Sequence, residues 1–140
     1  MSRVQLAINV ENLDEAIDFY SRLFDAVPAK VKPSYANFAI AEPPLKLVLF
    51  ENQGKGGSIN HLGVEVQTTE EVLTAEDRLT RADMVTTGID ETQCCYAEKT
   101  EVWVDGPDGV RWEWYVKHAD SDQFENVVID PSQSKRKCCT

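Results

Sequence analysis

The sequence predicts an α+β domain made of two β-α-β-β-β modules. Two observations predict it. An alternating apolar stretch followed by a helix-period stretch occurs near the N-terminus and again after residue 58. The start-to-start offset is roughly 55 residues, so the architecture repeats although the two halves share little identity. A length of 140 residues suits one domain with a real core. The expected domain is 1–119, with modules at about 2–52 and 58–118, and 120–140 as a polar, mobile tail.

The first strand is Arg3–Val10, with Val4, Leu6, Ile8 and Val10 on one face and Arg3, Gln5, Ala7 and Asn9 on the other. Asn12 or Asp14 can cap the helix that follows. Leu13, Ala16, Ile17, Tyr20, Leu23 and Phe24 recur at helical spacing, and the helix ends before Pro28. Short strands are expected at Ala29–Lys32, Tyr35–Ile40 and Leu45–Phe50, separated by Pro33-Ser34 and Glu42-Pro43-Pro44. The glycine-rich run Asn52–Gly57 reads as a linker.

The second module opens with a strand over Ser58–Gln67, in which Ile59, His61, Gly63 and Glu65 share a face. Thr68 and Glu71 have capping-box spacing, and Val72, Ala75, Leu79 and Ala82 follow at helical period. Strands are then expected at Met84–Ile89, Glu101–Val104 and Val110–Val116, the last two joined by a Gly-Pro-Asp-Gly turn. In the last strand Arg111, Glu113 and Tyr115 share one face, and Trp112, Trp114 and Val116 the other.

Charge and composition exclude some roles. The formal charge of -10 argues against a nucleic-acid or anionic-membrane partner. No apolar stretch approaches the ~20 residues of a membrane span. The apolar N-terminal run is short and broken by Gln5 and Asn9, so it reads as a strand and not a signal peptide, and the expected location is the cytoplasm. The four cysteines form two adjacent pairs, Cys94-Cys95 and Cys138-Cys139. Adjacent cysteines close only a strained disulfide ring, so such pairs suit metal binding or redox chemistry.

Gln5, His61 and Glu113 stand at corresponding places in the two modules, each on the strand face opposite its apolar row. If the helices cover the apolar rows, the three point to the other side of a curled sheet. Such nitrogen and oxygen donors suit a divalent first-row metal such as Fe(II), Mn, Ni or Zn. Cys94 and Cys95 are soft donors and suit a different task.

The paired modules, the Ala16–Phe24 helix, Asn60-His61-Leu62-Gly63 and the Pro-Asp-Gly-x-x-Trp-Glu turn and strand resemble the glyoxalase/bleomycin-resistance/extradiol-dioxygenase superfamily, the vicinal oxygen chelate fold. Within it, Cys94-Cys95-Tyr96-Ala97 together with Gln5, His61 and Glu113 is similar to the carbon–arsenic lyases and cadmium-induced proteins. That resemblance implies a non-haem Fe(II) dioxygenase that releases arsenite from trivalent organoarsenicals. It implies Gln5, His61 and Glu113 as metal ligands and catalytic centre, and Cys94 and Cys95 as the substrate-binding thiols on a loop that moves. Dioxygen would be co-substrate, and a homodimer is left open. Apart from the resemblance, Cys138-Cys139 is either a candidate second soft-metal site, where Lys135-Arg136-Lys137 would lower the thiol pKa, or part of a mobile tail with no role in turnover.

Two alternatives stand beside this reading. One is a cysteine-based protein that sequesters Cd(II) or As(III) without turnover. The other is a Zn- or Ni-dependent glyoxalase-type lyase, which needs a further carboxylate that Leu45–Phe50 does not offer. The chain departs from common patterns in Gly106, where the turn often has Asp, and in Gln5, which replaces a histidine. Lys99 and Glu101 occupy a region where relatives often carry one lysine.

Overall fold

A computed structural model describes residues 2–121 and 127–128, apart from the side chains of Cys94, Val127 and Val128. The elements run β1 (Arg3–Val10), α1 (Leu13–Phe24), β2 (Lys30–Lys32), β3 (Tyr35–Ile40), β4 (Leu45–Glu51), β5 (Ile59–Val66), α2 (Thr69–Arg81), β6 (Asp90–Cys94), β7 (Ala97–Asp105), β8 (Arg111–Asp120) and β9 (Val127–Val128). The β-α-β-β-β order therefore occurs twice, as the periodicity predicts. Two compact units divide near the middle of β5, one covering 3–62 and the other continuing from 63.

In the first unit β1 pairs in parallel with β4, which pairs antiparallel with β3, which pairs antiparallel with β2. Asn12 caps α1 by accepting from the Glu15 amide, and Glu51 Oε2 accepts from the Leu13 amide at 2.8 Å. These contacts satisfy amides that the helix itself leaves unpaired. Leu13, Ala16, Ile17, Tyr20 and Phe24 pack on a core of Val10, Ala36, Phe38, Ile40, Leu47 and Leu49, with Leu6 and Ile8 of β1. The apolar row of β1 thus faces its helix, and the row Gln5, Ala7, Asn9 is buried on the opposite face.

Asn52–Gly57 is more than a linker. Asn52 N donates to Val10 O, Gly57 N to Asn9 O, and Gly54 N to the Glu11 carboxylate, tying the turn to the end of β1. Gly57 has φ 87°, which favours glycine, and a Cβ at Gly56 would meet Glu11 Cγ at 2.6 Å.

In the second unit β7 pairs antiparallel with β8 and with β6, and β9 pairs antiparallel with β6. Thr68 caps α2, accepting from Glu71 N at 3.2 Å, as the capping box predicts. Val66, Val72, Val102 and Val116 form the core here, with Trp114 packed against it. Ala82 falls at the exposed C-cap and not on the buried face.

One strand moves relative to expectation. Met84–Ile89 is irregular, with a single bridge from Thr86 to Val104. Met84 and Val85 are exposed, and Gly88 takes φ 78°, so the segment cannot lie as a regular half-buried strand. The strand is instead Asp90–Cys94, a polar run with poor intrinsic preference. Its pairing with β7 overrides that preference, with Asp90 opposite Glu101 and Cys94 opposite Ala97.

Candidate functional site

In the first unit the site begins with two neighbouring side chains. Gln5 and His61 are each less than 5% exposed, and Gln5 Nε2 lies 3.2 Å from His61 Nε2. The alternation of β1 and of β5 places them, because each stands on the row opposite the helix-covered one. Phe50 forms an apolar flank, its ring 6.1 Å from that of His61. Asn60 Oδ1 lies 2.8 Å from the other ring nitrogen, Nδ1. Asn60 in turn donates to Asn9 Oδ1 at 3.1 Å.

In the second unit Glu113 is buried, and so are Lys99 and Glu101. Antiparallel pairing sets Trp103 opposite Glu113 and Glu101 opposite Tyr115, so the four side chains share one sheet face. A register shift between Glu98 and Lys99 re-aims the chain there, as β-bulges do beside sites. Lys99 Nζ is 3.0 Å from Glu113 Oε2 and 3.0 Å from Glu101 Oε2. The Glu101 contact is an ion pair. The ammonium also lies 5.1 Å from the Tyr115 ring centre, and Tyr115 donates to Glu65 at 2.9 Å.

Burial alone would lower the Lys99 pKa, but the Glu101 and Glu113 carboxylates outweigh it and hold it well above the ordinary lysine value. Glu101 is pushed above the usual carboxylate range, first by burial and further by Glu113, with Lys99 opposing. Charge balance explains the arrangement: one ammonium serves two carboxylates, leaving the trio formally at -1 when all are ionised. Glu113 and Arg111 share a strand face, which would allow an exposed ion pair between them. Glu113 is instead enclosed and paired with Lys99, and Arg111 lies over Trp103 at 4.3 Å.

Cys94 closes β6 opposite Ala97, so the turn between β6 and β7 is only Cys95-Tyr96. Both turn residues have positive φ, 53° and 62°, the combination that a two-residue hairpin requires. The thiol loop is therefore a tight hairpin end. Cys95 is disulfide-bonded, and its partner sulfur lies outside the described side chains. Cys138 and Cys139 lie outside the described residues.

The residue types fit a divalent first-row cation. An imidazole nitrogen and a carboxamide converge in a buried place, and a buried carboxylate has its excess charge partly matched. Among the described residues no three His, Cys, Asp or Glu side chains cluster as a metal site by themselves. The fourth-ligand question is sharpened by β4. Its one acidic residue, Glu51, is engaged in capping α1. Sequence reading missed the Asn60–Asn9 contacts and the Lys99 bridge. For Lys99 the signal was present: Lys99 and Glu101 alternate onto one strand face, as do Glu113 and Tyr115.

The profile of the Glyoxalase/Bleomycin resistance protein/Dioxygenase superfamily matches residues 3–114. The chain is 60% identical over 124 residues to the "Cadmium-induced protein CadI" of Mycobacterium tuberculosis, covering 89% of this chain and 82% of the relative. It is 50% identical over 141 residues to the "Trivalent organoarsenical cleaving enzyme" of Thermomonospora curvata, covering all of this chain and 89% of the relative. Among solved structures, the 2,3-dioxygenase LapB from Pseudomonas sp. KL28 overlays with TM-score 0.61 at 19% identity, over 86% of this chain and 42% of that one. That likeness bears on fold alone. No helix among the described residues is long and apolar enough to cross a membrane.

Proposed function

The chain belongs to the Glyoxalase/Bleomycin resistance protein/Dioxygenase superfamily, and on that footing we propose that it cleaves the carbon–arsenic bond of trivalent organoarsenicals. The observation that carries this reading is the presence of two donor sets of opposite character in one chain. Soft donors stand at the β6–β7 turn, and the hard donors Gln5, His61 and Glu113 are buried. Trivalent arsenic is thiophilic, so Cys94 and Cys95 hold the substrate through two sulfurs. Tethering replaces a bimolecular encounter with a positioned one. Because Cys95 is disulfide-bonded here, capture requires prior reduction of that bond to two thiols by a dithiol or phosphine.

Gln5, His61 and Glu113 are the proposed ligands of Fe(II). Bound iron would supply the open positions at which dioxygen is activated. Lys99 donates to one Glu113 oxygen and so orients that carboxylate. For a methyl substituent the overall reaction balances as CH3As(OH)2 + O2 → As(OH)3 + HCHO, with no external reductant.

The test is phosphine reduction, anaerobic loading with Fe(II), and addition of methylarsonous acid followed by air. Arsenite and formaldehyde in equal amounts over many turnovers are expected. His61→Ala should abolish turnover and keep arsenical capture, and Cys94→Ser should do the reverse for capture and iron loading. The name of the cadmium-induced relatives favours a second reading, sequestration through the cysteines. Tight arsenical binding by the iron-loaded protein, with no arsenite released, would establish that reading instead.

A further inference from the structure

The hydrogen bonds behind His61 run in one direction, and a backbone carbonyl fixes that direction. Lys55 O can only accept, and the Ser58 hydroxyl donates to it at 2.5 Å. Ser58 Oγ is then the acceptor for Asn9 Nδ2 at 2.9 Å. That orients the Asn9 amide, whose Oδ1 accepts from Asn52 Nδ2 at 2.6 Å and from Asn60 Nδ2 at 3.1 Å. With its Nδ2 committed, Asn60 turns Oδ1 toward His61 Nδ1 at 2.8 Å. A carboxamide oxygen cannot donate, so Nδ1 carries the proton. The neutral imidazole then has its lone pair on Nε2, the nitrogen that faces Gln5.

We propose that Asn60 and Asn9 are positioning residues that lock His61 as its Nδ1–H tautomer and so present Nε2 for metal binding. The proposal rests on the reading of His61 as a metal ligand. It also gives the glycine-rich 52–58 turn a task, because that turn supplies the fixed carbonyl and the serine that set the polarity of the relay. Partners of this kind tune a ligand's basicity and ring orientation, and their loss typically weakens metal binding about 10–100-fold. Each of these bonds lies within the first unit.

The experiment is an anaerobic Co(II) titration of the reduced, full-length protein, followed by visible absorbance. It compares wild type, Asn60→Ala, Asn60→Asp, Asn9→Ala and His61→Ala. Long-range proton–nitrogen NMR of the metal-free protein reads the His61 tautomer directly. Asn60→Ala should weaken Co(II) binding about 10–100-fold, and Asn9→Ala should weaken it less. Asn60→Asp, which keeps the acceptor, should bind at least as tightly as wild type. The wild-type spectrum should show the proton on Nδ1, with a mixture in Asn60→Ala. Capture of methylarsonous acid should be the same in all Asn variants. Wild-type Co(II) affinity in Asn60→Ala, or a proton on Nε2 in the wild type, would overturn the proposal. Wild-type affinity in His61→Ala would instead overturn the ligand assignment beneath it. If Asn60→Ala does not fold, Asn60→Asp and the wild-type spectrum still decide.

Discussion

Lys99 is the residue whose environment is most sharply defined. It is buried between Glu101 and Glu113, and an ammonium is enclosed at such a place only when carboxylates hold it. Removing it leaves two carboxylates in apolar surroundings with a mutual repulsion. Lys99→Met is expected to destabilise the metal-free protein by about 3–5 kcal/mol. Adding Glu101→Gln to that variant should recover part of the loss. Urea unfolding of the three proteins checks this, and equal stability of wild type and Lys99→Met would show the bridge to be energetically idle. The residue scale also shows what sequence could reveal. The faces of Gln5, His61 and Glu113 followed from strict two-residue alternation, because all three lie in long regular strands. The Asn9–Asn60 relay did not, because it depends on a turn geometry that glycine-rich composition leaves open. The state of Cys95 was equally hidden, since adjacency alone does not choose between thiol and disulfide.

Elements were legible where a local signal agreed with tertiary packing. The Thr68 cap, the Asn12 cap and the α1 face are of this kind. Met84–Ile89 failed because its apolar composition competes with Gly88, while Asp90–Cys94 became a strand through pairing with β7. That pairing has a consequence for the hairpin end. Cys95 at φ 53° occupies a left-handed conformation that costs a non-glycine residue about 1–3 kcal/mol. Asparagine tolerates that region and a β-branched residue does not. Under reducing conditions Cys95→Asn should therefore melt at or slightly above the wild type, whereas Cys95→Val should lose about 1–3 kcal/mol. Both should lose bidentate arsenical capture. Calorimetry with an arsenical-binding assay separates the two effects, and a stable Cys95→Val would mean that the turn is not under this constraint.

Across the whole molecule the buried trio should govern how stability depends on pH. Glu101 is already raised above its ordinary value with Lys99 beside it. A carboxyl raised in the folded state binds its proton more tightly there than in the unfolded chain. Its contribution is present at low pH and is lost as pH rises through the folded value. Lys99 is raised too, and its contribution is complete below the ordinary lysine value of 10.5 and is lost only as pH climbs through its higher folded value. In the wild type the ammonium opposes the Glu101 shift without cancelling it, so Glu101 already contributes some loss of stability as pH rises above 4.5. In Lys99→Met the nearest opposing charge is gone, Glu101 is raised further, and stability should fall more steeply as pH rises from the ordinary carboxyl value of 4.5 toward neutrality. The gap between variant and wild type should thus widen from pH 4.5 to pH 8, and the variant alone should lack the Lys99 share of the alkaline loss. Denaturation midpoints of the metal-free proteins across that range measure it. A gap independent of pH would mean that Glu101 and Glu113 keep their charges without Lys99, and that another cation balances them.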